Sequence, residues 1–163
     1  PVLAGTLPVA ASIAHARVRD TGTLVLTAGT TVPYGDAAAA VRPTMPHPAA
    51  NALWMLGEDG VLQWTWRGPH DLEGLAVSPD GRTAVLTAGP RRADDRRDLH
   101  GAVVLDLTGP GSGEERLRAL CTTEAPAFFR AAVQDDGRIA LVEFPVLVPD
   151  GTLRGTYRVG VYR

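Results

Sequence analysis

The chain has no lysine: all 16 of its basic residues are arginine. Set against 18 acids, they leave a formal net charge of −2, so no overall field draws in nucleic acid or an anionic membrane. Its basic surface makes planar, bidentate contacts to carboxylate or phosphate instead of point-charge contacts. Cysteine is nearly absent as well. Cys121 stands alone, which excludes an internal disulfide and leaves the redox compartment open. No apolar run approaches the roughly 20 residues that a helix needs to span a bilayer, and a cytoplasmic location is expected. Serine is limited to Ser12, Ser78 and Ser112, and no Gly-x-Ser-x-Gly elbow occurs. The chain opens on Pro1 and not on Met, which raises the expectation of a removed leader or a longer parent.

What is present is apolar and finely divided. Hydrophobic residues make up 45% of the 163 positions, enough for one domain with a real core. The 18 glycines and 13 prolines punctuate the chain every few positions. The runs between them are short and rich in Val, Leu and Ile, and convincing amphipathic helices are missing. Many short strands at regular spacing predict an all-β fold.

The strands repeat. "ARVRDTGTLVLTAG" (residues 16–29), "LAVSPDGRTAVLTAG" (75–89) and "AAVQDDGRIALVEF" (131–144) share one plan. In each, a strand closing on Val leads to a tight turn ending at Gly22, Gly81 or Gly137, and a second apolar strand follows. Asp20, Asp80 and Asp135/Asp136 stand in the turns, where Asp bonds its own backbone and Gly supplies positive φ. A second hairpin follows the first two copies, "NALWMLGEDGVLQWTWRG" (51–68) and "GAVVLDLTGPGSGEERLRAL" (101–120). After the third copy only "GTYRVGVYR" (155–163) remains. The repeating unit is therefore four antiparallel strands, a to d, with units at about 11–68, 70–121 and 125–163 of a single domain. The third unit is one strand short. Residues 1–10, "PVLAGTLPVA", read as one strand too many.

This pattern, with the Ser78-Pro79-Asp80-Gly81 turn between strands a and b, resembles the TolB-type and WD-repeat-like bacterial β-propellers. The resemblance implies four-stranded blades arranged radially, with an N-terminal strand completing the last blade. It transfers no catalytic residue, and the Trp-Asp ending of true WD repeats is absent. Three blades do not close a ring. The expectation is half of a six-bladed ring formed by two chains, or part of a longer propeller. A β-sandwich of about 11 strands is the rival fold.

A propeller would gather the long b–c connections, 30–51, 90–100 and 145–153, on one face, where function concentrates on loops. The charged stretch 91–98 offers Arg91, Arg92, Arg96 and Arg97 for carboxylate or phosphate, or else is a solvated loop of self-paired charges. His70 and Asp71 belong to the same face. His47, His70 and His100 are the metal candidates, though none has metal-ligand spacing. Aligning the a strands on Val18, Val77 and Val133 sets His15, Gly74 and Arg130 at one level, with Glu73 one residue outward. His15, Glu73 and Arg130 are thus candidates to line a central channel. Trp54, Trp64 and Trp66 fall in one unit, with Trp64 and Trp66 on one face of a strand, covering a seam or forming an aromatic patch. The expected function is a non-catalytic protein-interaction or ligand-binding module, the sensor or scaffold part of a larger assembly. It has no cofactor, and its partner is another protein or a second copy exchanging strands through residues 1–10 and 155–163. The alternative is a propeller hydrolase or lyase with a polar channel.

Overall fold

The computed structural model describes residues 13–27, 49–68, 72–88, 100–108, 113–121, 127–147 and 150–163. Among them there is no helix, and every regular element is a β-strand. The chain divides into two compact units, Pro1–Gly68 and Pro69–Arg163. The first holds an antiparallel sheet of β1 (Ile13–Arg19), β2 (Gly22–Thr27), β3 (Ala52–Leu56) and β4 (Leu62–Arg67), in that order. The second holds a like sheet of β5 (Leu72–Val77), β6 (Thr83–Ala88), β7 (His100–Asp106) and β8 (Glu114–Cys121).

Its other sheet has three strands, ordered β13-β10-β9, from β9 (Ala127–Val133), β10 (Ile139–Phe144) and β13 (Arg158–Tyr162). Among the described residues the third sheet is thus one strand short, and no sheet closes on itself. Residues 1–10, expected as the extra strand, lie outside the described residues.

The connection at 145–153, expected as a loop, is partly a strand pair. β11 (Val146–Leu147) pairs with β12 (Leu153–Arg154). The cause is a turn of the same kind as in the main hairpins: Asp150 Oδ1 accepts from the Thr152 amide at 2.9 Å, and Gly151 has φ 83°. Asp59, Asp80 and Asp136 do the same, each accepting at 3.0 Å from the amide two residues on. A positive-φ glycine follows each of them.

The second strands explain why "TLVLTAG" (23–29) and "TAVLTAG" (83–89) are nearly the same. Leu24, Val25, Leu26 and Thr27 of β2 are all buried, as are Ala84, Val85, Leu86 and Thr87 of β6. Burial on both faces requires a continuous apolar run, not an alternating one. The lone hydroxyl in each run must find partners. Thr27 Oγ1 donates to the Ala49 carbonyl at 2.6 Å and accepts from the Ala52 amide at 3.1 Å. Against the third strand the copies share one register: Thr27 faces Ala52, and Thr87 faces Ala102.

Against the first strand the copies differ by one residue. Val25 faces Ala16, two before Val18, whereas Val85 faces Ala76, one before Val77. The turns set this slip. Arg19 pairs directly with Gly22, while the second turn runs from Ser78 to Thr83, closed by the Ser78 amide on the Thr83 carbonyl at 2.9 Å. A one-residue slip exchanges the faces of a strand. Val18 therefore shares a face with Val25, whereas Val77 lies on the face opposite Val85.

Within the second unit the two sheets pack face to face. Val85, Ala102 and Val104 meet Phe128, Val133 and Leu141, with Ala76, Ala131 and Ile139 at the margin. Their turns are also joined, by the Asp80 amide donating to Asp135 Oδ1 at 2.8 Å.

Gly22 is buried, with φ 122°, and a Cβ there would run into the Leu56 carbonyl. Gly137 has φ 82° with open space around it. Gly137→Ala should cost about 1 kcal/mol, the left-handed penalty alone, and Gly22→Ala at least about 2 kcal/mol. Urea unfolding of the two variants checks this; equal losses would show that the Leu56 carbonyl does not limit the turn.

Candidate interaction surface

The edge strand β13 alternates sharply. Its register sets Arg158 opposite Glu143, Gly160 opposite Leu141 and Tyr162 opposite Ile139, all on the face that packs inward. Glu143 is only 2% exposed. Arg158 Nε donates to its Oε2 at 2.6 Å, and the Tyr162 hydroxyl donates to its Oε1 at 2.7 Å. Tyr162 reaches this far because residue 160 is glycine: a Cβ there would meet the tyrosine ring. The Phe128 ring stands edge-on to Tyr162, 6.2 Å between centroids. Burial alone would raise the Glu143 carboxyl, but the Arg158 and Tyr162 hydrogen bonds and the Arg158 charge outweigh it. The group is held below the usual carboxylate range. One buried carboxylate thus fastens both ends of β13 to β10.

The other face of this sheet carries Ala132, Ala140, Val142, Val159 and Val161, with the exposed Arg130 opposite Val142. Val159 is 63% exposed and Val161 68%. The first unit has a corresponding surface. Ala16 and Val18 share a face with Val25 and Trp54, and Val18 is 84% exposed. Trp54 is half-buried there, its Nε1 donating to Thr27 Oγ1 at 3.3 Å and the Arg67 guanidinium 5.9 Å from its ring. Trp64 and Trp66 share the opposite face, paired with Met55 and Leu53, and Trp66 is buried. Trp66 therefore belongs to a covered surface, not to an exposed aromatic patch.

The expected channel residues occupy related positions. The first strand of each sheet bulges at the same place, leaving Ala14, Glu73 and Phe129 unopposed. His15, Gly74 and Arg130 follow these bulges, opposite Leu26, Thr87 and Val142. The alignment on Val18, Val77 and Val133 is thus the alignment of the bulges. His15 is half-buried in the first unit, and Arg130 is exposed in the second. His100 opens β7, paired with Cys121. Arg91, Arg92, Arg96, Arg97, His47, His70 and Asp71 lie outside the described residues. Among the described residues no three His, Cys, Asp or Glu side chains group to hold a metal, and no helix is long and apolar enough to cross a membrane.

The described residues form an all-β protein of antiparallel sheets, two of them simple meanders, with Val18, Val159 and Val161 exposed on sheet faces. No known protein family matches it, and no curated protein does. It is similar in fold to a solved structure, that of a functionally unknown protein from Desulfotomaculum acetoxidans DSM 771, with a TM-score of 0.54 and 10% identity over 94% of this chain. The chain spans less than half, 43%, of that protein.

Sequence reasoning passed over Glu143, Arg158, Tyr162 and the valines of β13. The signals were available: a lone acid inside "IALVEF", and strict alternation in "RVGVY".

A group whose folded pKa is depressed contributes stability above its unfolded value, about 4.3 for Glu, and that contribution is lost as pH falls through the folded value. Glu143→Gln should therefore be less stable than wild type at pH 7. Its melting temperature should also fall less steeply between about pH 5 and pH 3. Tyr162→Phe should lose about 1 kcal/mol, the worth of one hydrogen bond. Parallel pH–melting curves for Glu143→Gln and wild type would exclude the clamp.

Proposed function

We propose that the chain is a propeller-type interaction module and not a catalyst. Its three sheets are successive blades, and its work is to present uncovered sheet surface to a protein partner. One observation carries this reading: a sheet with a well-packed inner face turns Val142, Val159 and Val161 outward. Apolar surface of this kind, on a strand held firmly in place, suits association. The short third sheet supports the same reading, since β13 has no strand on its far side among the described residues. An open edge of this kind suits the addition of a strand from a partner. The similarity to a protein more than twice as long agrees with three blades forming part of a larger ring.

Metal analysis of the purified chain tests this reading against a metal-assisted hydrolase or lyase. Far less than one equivalent of zinc or other divalent metal is expected, with no change in melting temperature on adding a chelator. Stoichiometric metal that disappears in His70→Ala would overturn the non-catalytic module.

A further inference from the structure

The seam between the two sheets of the second unit provides a template for identifying the uncovered faces. On one side of it stand Ala76, Val85, Ala102 and Val104; on the other, Phe128, Ala131, Val133, Ile139 and Leu141. The shared bulges allow each sheet to be placed on the next, rung by rung. On that register the outward Ala132, Ala140, Val159 and Val161 occupy the places of Ala76, Val85, Ala102 and Val104. The outer face of the third sheet thus repeats the face by which the second sheet packs on the third.

The first sheet carries the opposite half of the seam. Ile13, Ala16, Val18 and Val25 occupy the places of Phe128, Ala131, Val133 and Leu141. Ile13 and Val18 are exposed. One chain therefore holds residues of both halves of its own internal seam, exposed at Ile13 and Val18 on one and at Val159 and Val161 on the other, with Val25 buried between its neighbours.

We infer that these two faces bind each other between two copies of the chain, head to tail. The Val18 face of one copy seats on the Val159–Val161 face of the other, and a twofold axis repeats the contact. The inference rests on the propeller-type reading and names its partner. A head-to-tail contact that closes after two copies gives a finite dimer with two equal seams and no free apolar face. Apart from Arg130 on the outer face of the third sheet, the named residues of both surfaces are apolar, as a stable seam needs, and they are of the same residue classes as the internal seam joins.

Sedimentation equilibrium of the whole chain, with circular dichroism of each variant as the check on folding, tests it. Wild type should run at twice the 17.2 kDa chain mass. Val18→Glu, which spoils one face, and the double substitution Val159→Glu/Val161→Glu, which spoils the other, should each weaken association at least about tenfold with unchanged strand content. Mixing the two variants should restore a two-chain species, because the mixture still offers one intact pair of faces. A wild type that stays monomeric up to about 100 micromolar overturns self-association while leaving the interaction-module reading in place. Association that survives Val159→Glu/Val161→Glu, or a mixture that fails to pair, overturns the assignment of the contact to these two faces. Bound metal in the preceding assay would remove the module reading and leave the dimer test untouched.

Discussion

A sheet whose second strand is apolar on both faces has to be covered on both. This constraint governs the structure more than any single bond. It accounts for the uninterrupted "TLVLT" and "TAVLT", for the buried threonine hydroxyl that closes its hydrogen bonds inside the sheet, and for the stacking of the second sheet on the third. It also gives the outward valines of β13 their meaning. A face built like its neighbour's packing face, and left open, is an unfinished stack.

Turn chemistry decides which residues each face receives. The same Asp-Gly device recurs at Asp59, Asp80, Asp136 and Asp150, yet the loops it closes differ in length. The tight Arg19–Gly22 closure shifts β1 by one residue against β2, relative to β5 against β6. That shift sets Ala16, and not Arg17, opposite Val25, and so puts Val18 on the same face as Val25. Each sheet therefore combines a shared register between its second and third strands with an individual one at its first strand. The bulges at Ala14, Glu73 and Phe129 stand at the same level of each first strand and carry this difference through unchanged.

Much of this was legible in the sequence. Glycines at 22, 60, 81 and 137 marked the hairpins because only a positive φ makes such turns. The strand deficit of the third unit followed from counting turns. The near-identity of residues 23–29 and 83–89 goes with a register that is shared only on the side of the third strand. The slip at the first strand was hidden because turn length is counted in backbone rungs, which a string of letters does not display. The ladder at 146–154 escaped because two-residue strands leave no period to detect. Among the proposed site residues, the strands dictated the levels of His15 and Arg130, whereas what those side chains do depends on neighbours that sequence spacing cannot supply.

Glu143 brings these threads together. An ionised carboxylate in an apolar seam is costly unless each oxygen is occupied. Arg158 and Tyr162 occupy one oxygen each. Both come from β13, and both come from its inward face, so the valines between them are forced outward by the period of the strand. An apolar residue at 143 would tolerate β13 in either orientation. A buried charge accepts only the one that delivers a guanidinium and a hydroxyl, because a one-residue slip would present Val159 and Val161 to it instead. The polar clamp on one side of the strand therefore fixes the identity of the apolar surface on the other, and the uncovered face of the third sheet is specified by a carboxylate that it never touches.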